Sequence, residues 1–320
     1  MNAFQYVNAR TIGSAQELAA DHGAYLSGGV DLLGQMKEYL VEPKLVVNVK
    51  TIPNLSRIEP GNDKWTIGAN VTIAQIEDHA EINKTFPGLH LAAHHVASQQ
   101  IRNVATLGGN LAQHSRCWYY RHRDVKCLKK HGDTCYARHS EHRYHSIFSG
   151  NTCISPVVSN MSVILTALDA RVTVQRDGKP VLMSIAELYA RAWENEFAHN
   201  SLGPTDLITS VEIPTNRTRS AYLQVSEKHE FDWALVSCAA AADLKGGKLT
   251  NARVALGAIS NVPHQVEAAN QFLEGKTLDE AVANEAADRI LKGAQPLEQN
   301  AYKVPIAHAL IRRALLQLKA

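Results

Sequence analysis

Between Arg116 and Cys153 the chain reads RCWYYRHRDVKCLKKHGDTCYARHSEHRYHSIFSGNTC, and this one stretch holds four of the five cysteines. Cys117, Cys127, Cys135 and Cys153 follow the spacing C-x9-C-x7-C-x17-C. Zinc sites usually contain a tight C-x2-4-C pair that fixes two tetrahedral corners from one turn, and this segment has none. Iron–sulfur clusters also take four thiolates and tolerate looser spacing where a long loop wraps them. Positive charge from Arg116, Arg121, Lys126, Lys129 and Lys130 favours thiolates and offsets the negative charge of a cluster. Taken alone, the residues favour an iron–sulfur cluster and leave zinc, disulfides and unligated thiols open. The six histidines from His114 to His145 read as solvated loop residues or hydrogen-bond partners rather than ligands. WYYRHR has the aromatic and basic character of a single-stranded nucleic-acid patch. Its plainer reading is a loop folded around a cofactor or pressed on a partner subunit.

Five cysteines are too few for a disulfide-stapled secreted domain in a chain of 320 residues. Cys238, alone in the apolar run ALVSCAAAA, reads as a small buried hydrophobe. The length allows two or three domains, each with its own core. A net charge of +2 gives no global pull towards nucleic acid or an anionic membrane. No window offers the ~18 uninterrupted apolar residues of a membrane helix. The first residues, MNAFQYVNARTIGSAQELAADHG, lack the layout of a secretory signal.

Along the chain, SAQELAADHG predicts a helix with Ser14 as N-cap and Glu17 completing a capping box. AYLSGG predicts a strand running into a glycine turn, VDLLGQMKEYL a helix, and KLVVNVK a strand ended by Pro53. WTIGANVTIAQIEDHA follows as strand, turn and helix start, and LHLAAHHVASQQIRN as a further helix. After the cysteines come an apolar helix and a hairpin closed at RDGKP. A polar stretch with Gly203, Pro204 and Pro214, ENEFAHNSLGPTDLITSVEIPTNRTRS, marks the expected domain boundary. Beyond it AYLQVSEKH, WALVSCAAAADL and LTNARVALGAIS predict strands or a strand–helix mix, with KGGK as a turn. EAANQFLEG, LDEAVANEAADRILKGA and VPIAHALIRRALLQLK predict amphipathic helices packed on that sheet.

Two turns could receive a phosphate: LSGGVDLL at 26–33 and TLGGN at 106–110. Glycine lets backbone approach a pyrophosphate closely. Neither turn is the GxGxxG of a dinucleotide fold, and no GxxxxGK[ST] occurs. Each pair alone is compatible with an ordinary tight turn. In order, however, LSGGVDLLGQMK, IGANVTIAQIE, ASQQIRNVATLGGNLA, FDWALVSCAAAA and ARVALGAISNVP resemble the FAD-binding subunits of molybdenum hydroxylases. That group includes the xanthine dehydrogenase, aldehyde oxidoreductase, carbon monoxide dehydrogenase and 4-hydroxybenzoyl-CoA reductase families. The resemblance implies an α+β chain: a two-lobed FAD-binding domain of the PCMH type, then a smaller C-terminal α+β domain of the CO dehydrogenase flavoprotein type. It sets the first domain at 1–200, with lobes at about 1–55 and 56–200 and a cysteine-bearing insertion at 114–155, and the second at 215–320. FAD would lie against Leu26, Ser27, Gly28, Gly29, Val30 and Asp31, and against Thr106, Gly108, Gly109 and Asn110. Ile101 or Leu111 would cover its rings. Asn160 stands where the family usually has aspartate, and Gln224 where it often has lysine, so Lys228 is carried as a substitute.

Most relatives of this type run from the second glycine loop straight to Ser-Asp. A minority, similar to the 4-hydroxybenzoyl-CoA reductase and bacterial aldehyde oxidoreductase flavoproteins, carry a cysteine loop there that binds a [4Fe-4S] cluster. The resemblance thus implies Cys117, Cys127, Cys135 and Cys153 as its ligands. It further implies an oxidoreductase subunit that passes electrons between FAD and [2Fe-2S] clusters on a small partner. Substrate would be handled at molybdopterin on a large partner, with an external acceptor or donor completing the chain. No side chain is singled out as acid or base. Alternatives from other classes are a stand-alone flavin oxidase or dehydrogenase and a zinc-stabilised nucleic-acid or scaffold module. The thiols favour the cytoplasm, with export to the periplasm on a signal-bearing partner as the other option.

Overall fold

The computed structural model describes residues 1–228 and 231–319. The first lobe alternates β1 (Gln5–Asn8), α1 (Ile12–Ala20), β2 (Gly23–Leu26), α2 (Leu32–Lys37) and β3 (Leu45–Asn48). Its three strands are parallel in the order β1-β3-β2. Parallel strands are covered on both faces, and accordingly Val46 and Val47 of the central strand are fully buried. The capping box of α1 lies three residues before the expected one: Thr11 is the N-cap, and Ser14, expected there, closes the box. β3 ends at Asn48, whose side chain bonds the Lys50 amide and turns the chain before Pro53 can act.

The second lobe opens with β4 (Ile58–Glu59) and β5 (Lys64–Gly68). Five helices follow: α3 (Ile73–Asp78), α4 (Ala80–Thr85), α5 (Pro87–His94), α6 (Gln99–Arg102) and α7 (Leu107–Ala112). The single helix expected from Leu89 to Asn103 is broken at Ala97, which takes φ +45°, and Ser98 caps the new start at Gln99 by accepting from the Ile101 amide. A serine that bonds nearby backbone competes with helix continuation. The cysteine segment contributes only α8 (Trp118–Arg121), one 3-10 turn and α9 (Tyr136–His139). Then come α10 (Asn160–Ala167), β6 (Arg171–Arg176), β7 (Lys179–Ser184), α11 (Ile185–Glu194) and β8 (Leu207–Pro214). All eight residues of α10 are buried.

The antiparallel sheet of this lobe runs β4-β5-β8-β6-β7. β8 is its middle strand, although it lies inside the stretch expected to divide the domains. Leu207, Ile208, Val211 and Ile213 of that strand are buried, and the polar residues and prolines on either side hid the pattern. β8 ends at Pro214, and the next strand lies in a separate sheet.

The last domain pairs β9 (Arg219–Val225), β10 (Val236–Lys245) and β11 (Lys248–Gly257) antiparallel, with β10 in the middle. Gly246 and Gly247 turn the hairpin with φ of +57° and +76°, the left-handed region that a tight primed turn demands. His229, at the end of the expected first strand, lies outside the described residues. Helices α12 (Glu267–Leu273), α13 (Glu280–Leu291) and α14 (Lys303–Gln317) cover the sheet and bury an alanine- and leucine-rich core. Cys238 sits fully buried in that core. Among the described residues no helix is long and apolar enough to cross a membrane.

Candidate functional site

The first glycine loop leaves β2 at the C-terminal edge of the parallel sheet, where open α/β sheets place their ligand crevices. Gly29 adopts φ +73°, so the chain reverses there without the strain a Cβ would bring. Gly28 is held tighter still: a Cβ on it would meet the Val104 carbonyl oxygen at 2.3 Å. Backbone of the first loop therefore rests directly on the approach to the second. Their side chains complete the junction. Ser27 Oγ lies 2.9 Å from Thr106 Oγ1 and donates to Asn70 Oδ1 at 2.9 Å. Asn70 in turn donates to the Val49 carbonyl at 2.8 Å. Thr106 caps α7 by accepting from the Gly109 amide at 3.2 Å.

The joined loops form one wall of a cavity of about 840 Å³, within the size range of small-molecule and cofactor sites. Ser27, Gly28, Gly29, Val30, Asp31, Ile101, Thr106, Gly108, Gly109 and Asn110 line it. The structure sets four other expected residues elsewhere. Leu26 lies under the loop in β2, where its carbonyl accepts from the Val49 amide. Leu111 turns inward from α7 and is fully buried. Asn160 is buried and donates to the His95 carbonyl at 3.2 Å and to Gln224 Oε1 at 3.1 Å. Lys228 is exposed and outside the lining. The Asn160–Gln224 contact joins the two positions that depart from the pattern of the resembled subunits, so both charges are missing from one place.

Sequence reasoning missed the rest of the wall. Asn70 was within the quoted IGANVT stretch without being singled out. Asp206 accepts from Arg176 at 2.7 Å and from the Gly203 amide at 2.8 Å, in the segment read as a linker. Tyr25 donates to the Thr205 carbonyl at 2.9 Å, and burial followed by the nearby Asp206 charge pushes its phenol up to about 12. Trp233 also lines the cavity, with the Arg116 guanidinium 4.7 Å from its ring centroid. Residues this far apart in the chain leave no local signal of their meeting.

Next to this cavity is a smaller pocket lined by all four clustered cysteines, Cys117, Cys127, Cys135 and Cys153. None is in a disulfide. The lining also includes Lys129, Tyr119, Tyr120, Tyr136 and His145. Lys129 is buried, which lowers its pKa, and its ammonium donates to the Ala198 carbonyl at 2.7 Å. A hydrogen bond from the Cys135 thiol, the Lys129 charge and Ser155 hold the Cys153 pKa low against burial. Burial pushes the Cys117 thiol up to about 12. His145 Nε2 lies 3.1 Å from Cys117 Sγ, and burial lowers that imidazole to about 4.

A tetrahedral zinc ion with Zn–S of about 2.3 Å would draw its sulfurs to within roughly 4 Å of one another. Among the described residues no three His, Cys, Asp or Glu side chains converge closely enough for a single ion. Four unpaired thiols and a buried ammonium line one pocket, a donor set of the kind that thiolate-bound metal groups take.

Residues 2–216 match the family described as the FAD binding domain in molybdopterin dehydrogenase. The chain belongs to this family. Residues 220–318 of this flavoprotein match the CO dehydrogenase flavoprotein C-terminal domain, and the two matches meet just after β8. It is 30% identical to the aldehyde oxidoreductase FAD-binding subunit PaoB of Escherichia coli (strain K12), over 100% of this chain and 99% of that one. It is 25% identical to the carbon monoxide dehydrogenase medium chain of Afipia carboxidovorans, over 99% of this chain and 97% of that one. Two solved structures share the fold. Quinoline 2-oxidoreductase from Pseudomonas putida 86 has a TM-score of 0.76 at 24% identity, covering 99% of this chain and 97% of that one. Carbon monoxide dehydrogenase from Hydrogenophaga pseudoflava has 0.77 at 20%, covering 99% and 98%. The molybdopterin dehydrogenase flavoprotein is thus an oxidoreductase component built to bind FAD.

Proposed function

We propose that this chain is the electron-transfer subunit of a multi-subunit molybdenum hydroxylase, carrying FAD in the large cavity and a [4Fe-4S] cluster on Cys117, Cys127, Cys135 and Cys153. The observation that carries the reading is the pair of adjoining spaces, one walled by joined glycine loops and the other by four unpaired thiols. Bound FAD supplies two-electron chemistry that divides into single-electron transfers, and a cluster supplies single-electron chemistry. The residues present do the holding and tuning. Backbone from Ser27 to Asp31 and from Thr106 to Asn110 offers close approach to phosphates. Ile101, Ala97 and Val96 supply apolar wall. Lys129 offsets thiolate charge inside the pocket, and His145 reaches the Cys117 sulfur.

Substrate oxidation belongs, on this reading, to a large molybdopterin-binding partner, with a small [2Fe-2S] partner relaying electrons and an external acceptor or donor completing the route. An aldehyde, an N-heterocycle or an aromatic acyl-CoA are the substrate classes it covers. The unpaired thiols suit a reducing compartment.

Absorbance and metal analysis test the reading. The purified chain should show flavin bands, a broad shoulder near ~400 nm and ~4 iron per chain. Cys127→Ser, prepared in saturating FAD, should lose iron and keep flavin. Flavin with no iron in the wild type would support a stand-alone flavoprotein. Zinc in place of iron would remove the cluster.

A further inference from the structure

The two spaces share a partition, and one carboxylate holds it. His114 and Arg116 line the flavin cavity, while Cys117, Tyr119 and Tyr120 line the cysteine pocket. A hydrogen bond joins the two linings, between Tyr120 Oη and His114 Nδ1 at 2.7 Å. This stretch is wound around Arg121, whose guanidinium donates to the Ser115 carbonyl at 2.8 Å and the His114 carbonyl at 3.0 Å.

Asp31, at the start of α2 and next to Gly28, Gly29 and Val30, receives the whole assembly. Its Oδ2 accepts from the His114 amide at 2.9 Å and from Gln35 Nε2 at 2.8 Å. Its Oδ1 accepts from Arg121 Nη2 at 2.7 Å and from Arg116 Nη1. Both oxygens are filled. The acid and its two arginines are largely buried, with 15–20% of each side chain exposed. With so little exposure to water, the charge-assisted contacts, one nitrogen of each guanidinium on Oδ1, are strong.

We propose that Asp31 is a positioning residue that latches the cysteine-bearing turn to the first glycine loop, so that order imposed on either is passed to the other. The latch rests on the reading above only for what fills each space. Occupancy of the flavin cavity fixes residues 27–31, and these fix residues 114–121, which include Cys117. Linkage makes the effect mutual: a filled cysteine pocket must strengthen binding in the flavin cavity by the same factor.

Hydrogen exchange on the amides of 114–121, in the full complex with and without FAD, tests this. In the wild type FAD should slow exchange there about ten-fold, within the usual range of coupling between sites. In Arg121→Met, which leaves the cavity lining intact, the protection should fall to less than about two-fold while FAD still binds, and in Asp31→Asn it should fall likewise once FAD is raised to full occupancy. Arg121→Lys, with charge but no fork, should fall between. A wild type with no FAD-dependent protection at 114–121, or variants that keep it in full, would overturn the latch. Thermal unfolding checks that each variant is folded, and Arg121→Met decides the matter if Asp31→Asn is not. Iron is measured in the same samples. Its absence from the wild type sinks the cluster reading, while the exchange result still judges the latch.

Discussion

Asp31 shows at a single residue how burial and charge compete. Burial raises a carboxyl pKa, but Arg116, Arg121 and the His114 amide outweigh it and hold the group at about 2, below the ordinary 3.8. The folded value is the lower one, so the stabilisation is complete above the unfolded value and is lost as pH falls through the folded one. Its size is on the order of 2 kcal/mol. Urea unfolding of wild type and Asp31→Asn should differ most at neutral pH, and the gap should narrow between about pH 4 and pH 2. A gap that stays constant with pH would remove the carboxylate from the account. The sequence marked Asp31 for its place in a glycine loop, because turn chemistry is local. It could not mark its partners, which lie 85 and 90 residues further on.

At the scale of elements, the cavity depends on two loops packed backbone to backbone. Gly28→Ala would drive a methyl group into the Val104 carbonyl and to 2.8 Å from Ala105 Cα. Backbone cannot yield as a side chain can. We expect a loss of about 1–3 kcal/mol, as for overpacking, together with a sharp fall in bound flavin measured after gel filtration. Gly109→Ala, whose nearest neighbour is the Thr106 hydroxyl at 3.1 Å, should be milder on both counts. Most helices and strands were legible from periodicity and turns. The exceptions are instructive. β8 was lost because short polar flanks with prolines look like a linker when its two partner strands are out of view. The break at Ala97 was lost because an apolar run with good helical spacing gives no warning of a serine cap.

Across the molecule, the cysteine insertion is fastened to the last domain as firmly as to the flavin loops. The amides of Ile147 and Phe148 both donate to the Ile259 carbonyl at 2.9 Å. Lys303, at the start of α14 and fully buried, donates to the Tyr144 carbonyl at 3.0 Å and the Ala258 carbonyl at 2.7 Å. Burial pushes that ammonium down to about 7 from 10.5. Between these values the unfolded chain holds the proton and the folded chain has released it, so stability rises with pH across that window. Lys303→Met should abolish this part of the rise, read as the wild-type-minus-variant difference in urea midpoint at pH 7 and pH 9.5. A difference that does not move with pH would show that the lysine keeps its charge in the fold.

What the sequence determined by itself is local chemistry and order. Two glycine turns, four clustered thiols and the succession of elements are written in residues a few positions apart, where steric limits and hydrogen-bonding reach are short. Tertiary structure alone decided that both turns meet through Ser27 and Thr106 and that all four thiols reach one pocket. It also decided that Leu111 and Asn160 lie outside the cavity lining while Trp233 lies within it. Those outcomes depend on which apolar faces pack against which, and packing joins residues that no spacing along the chain relates.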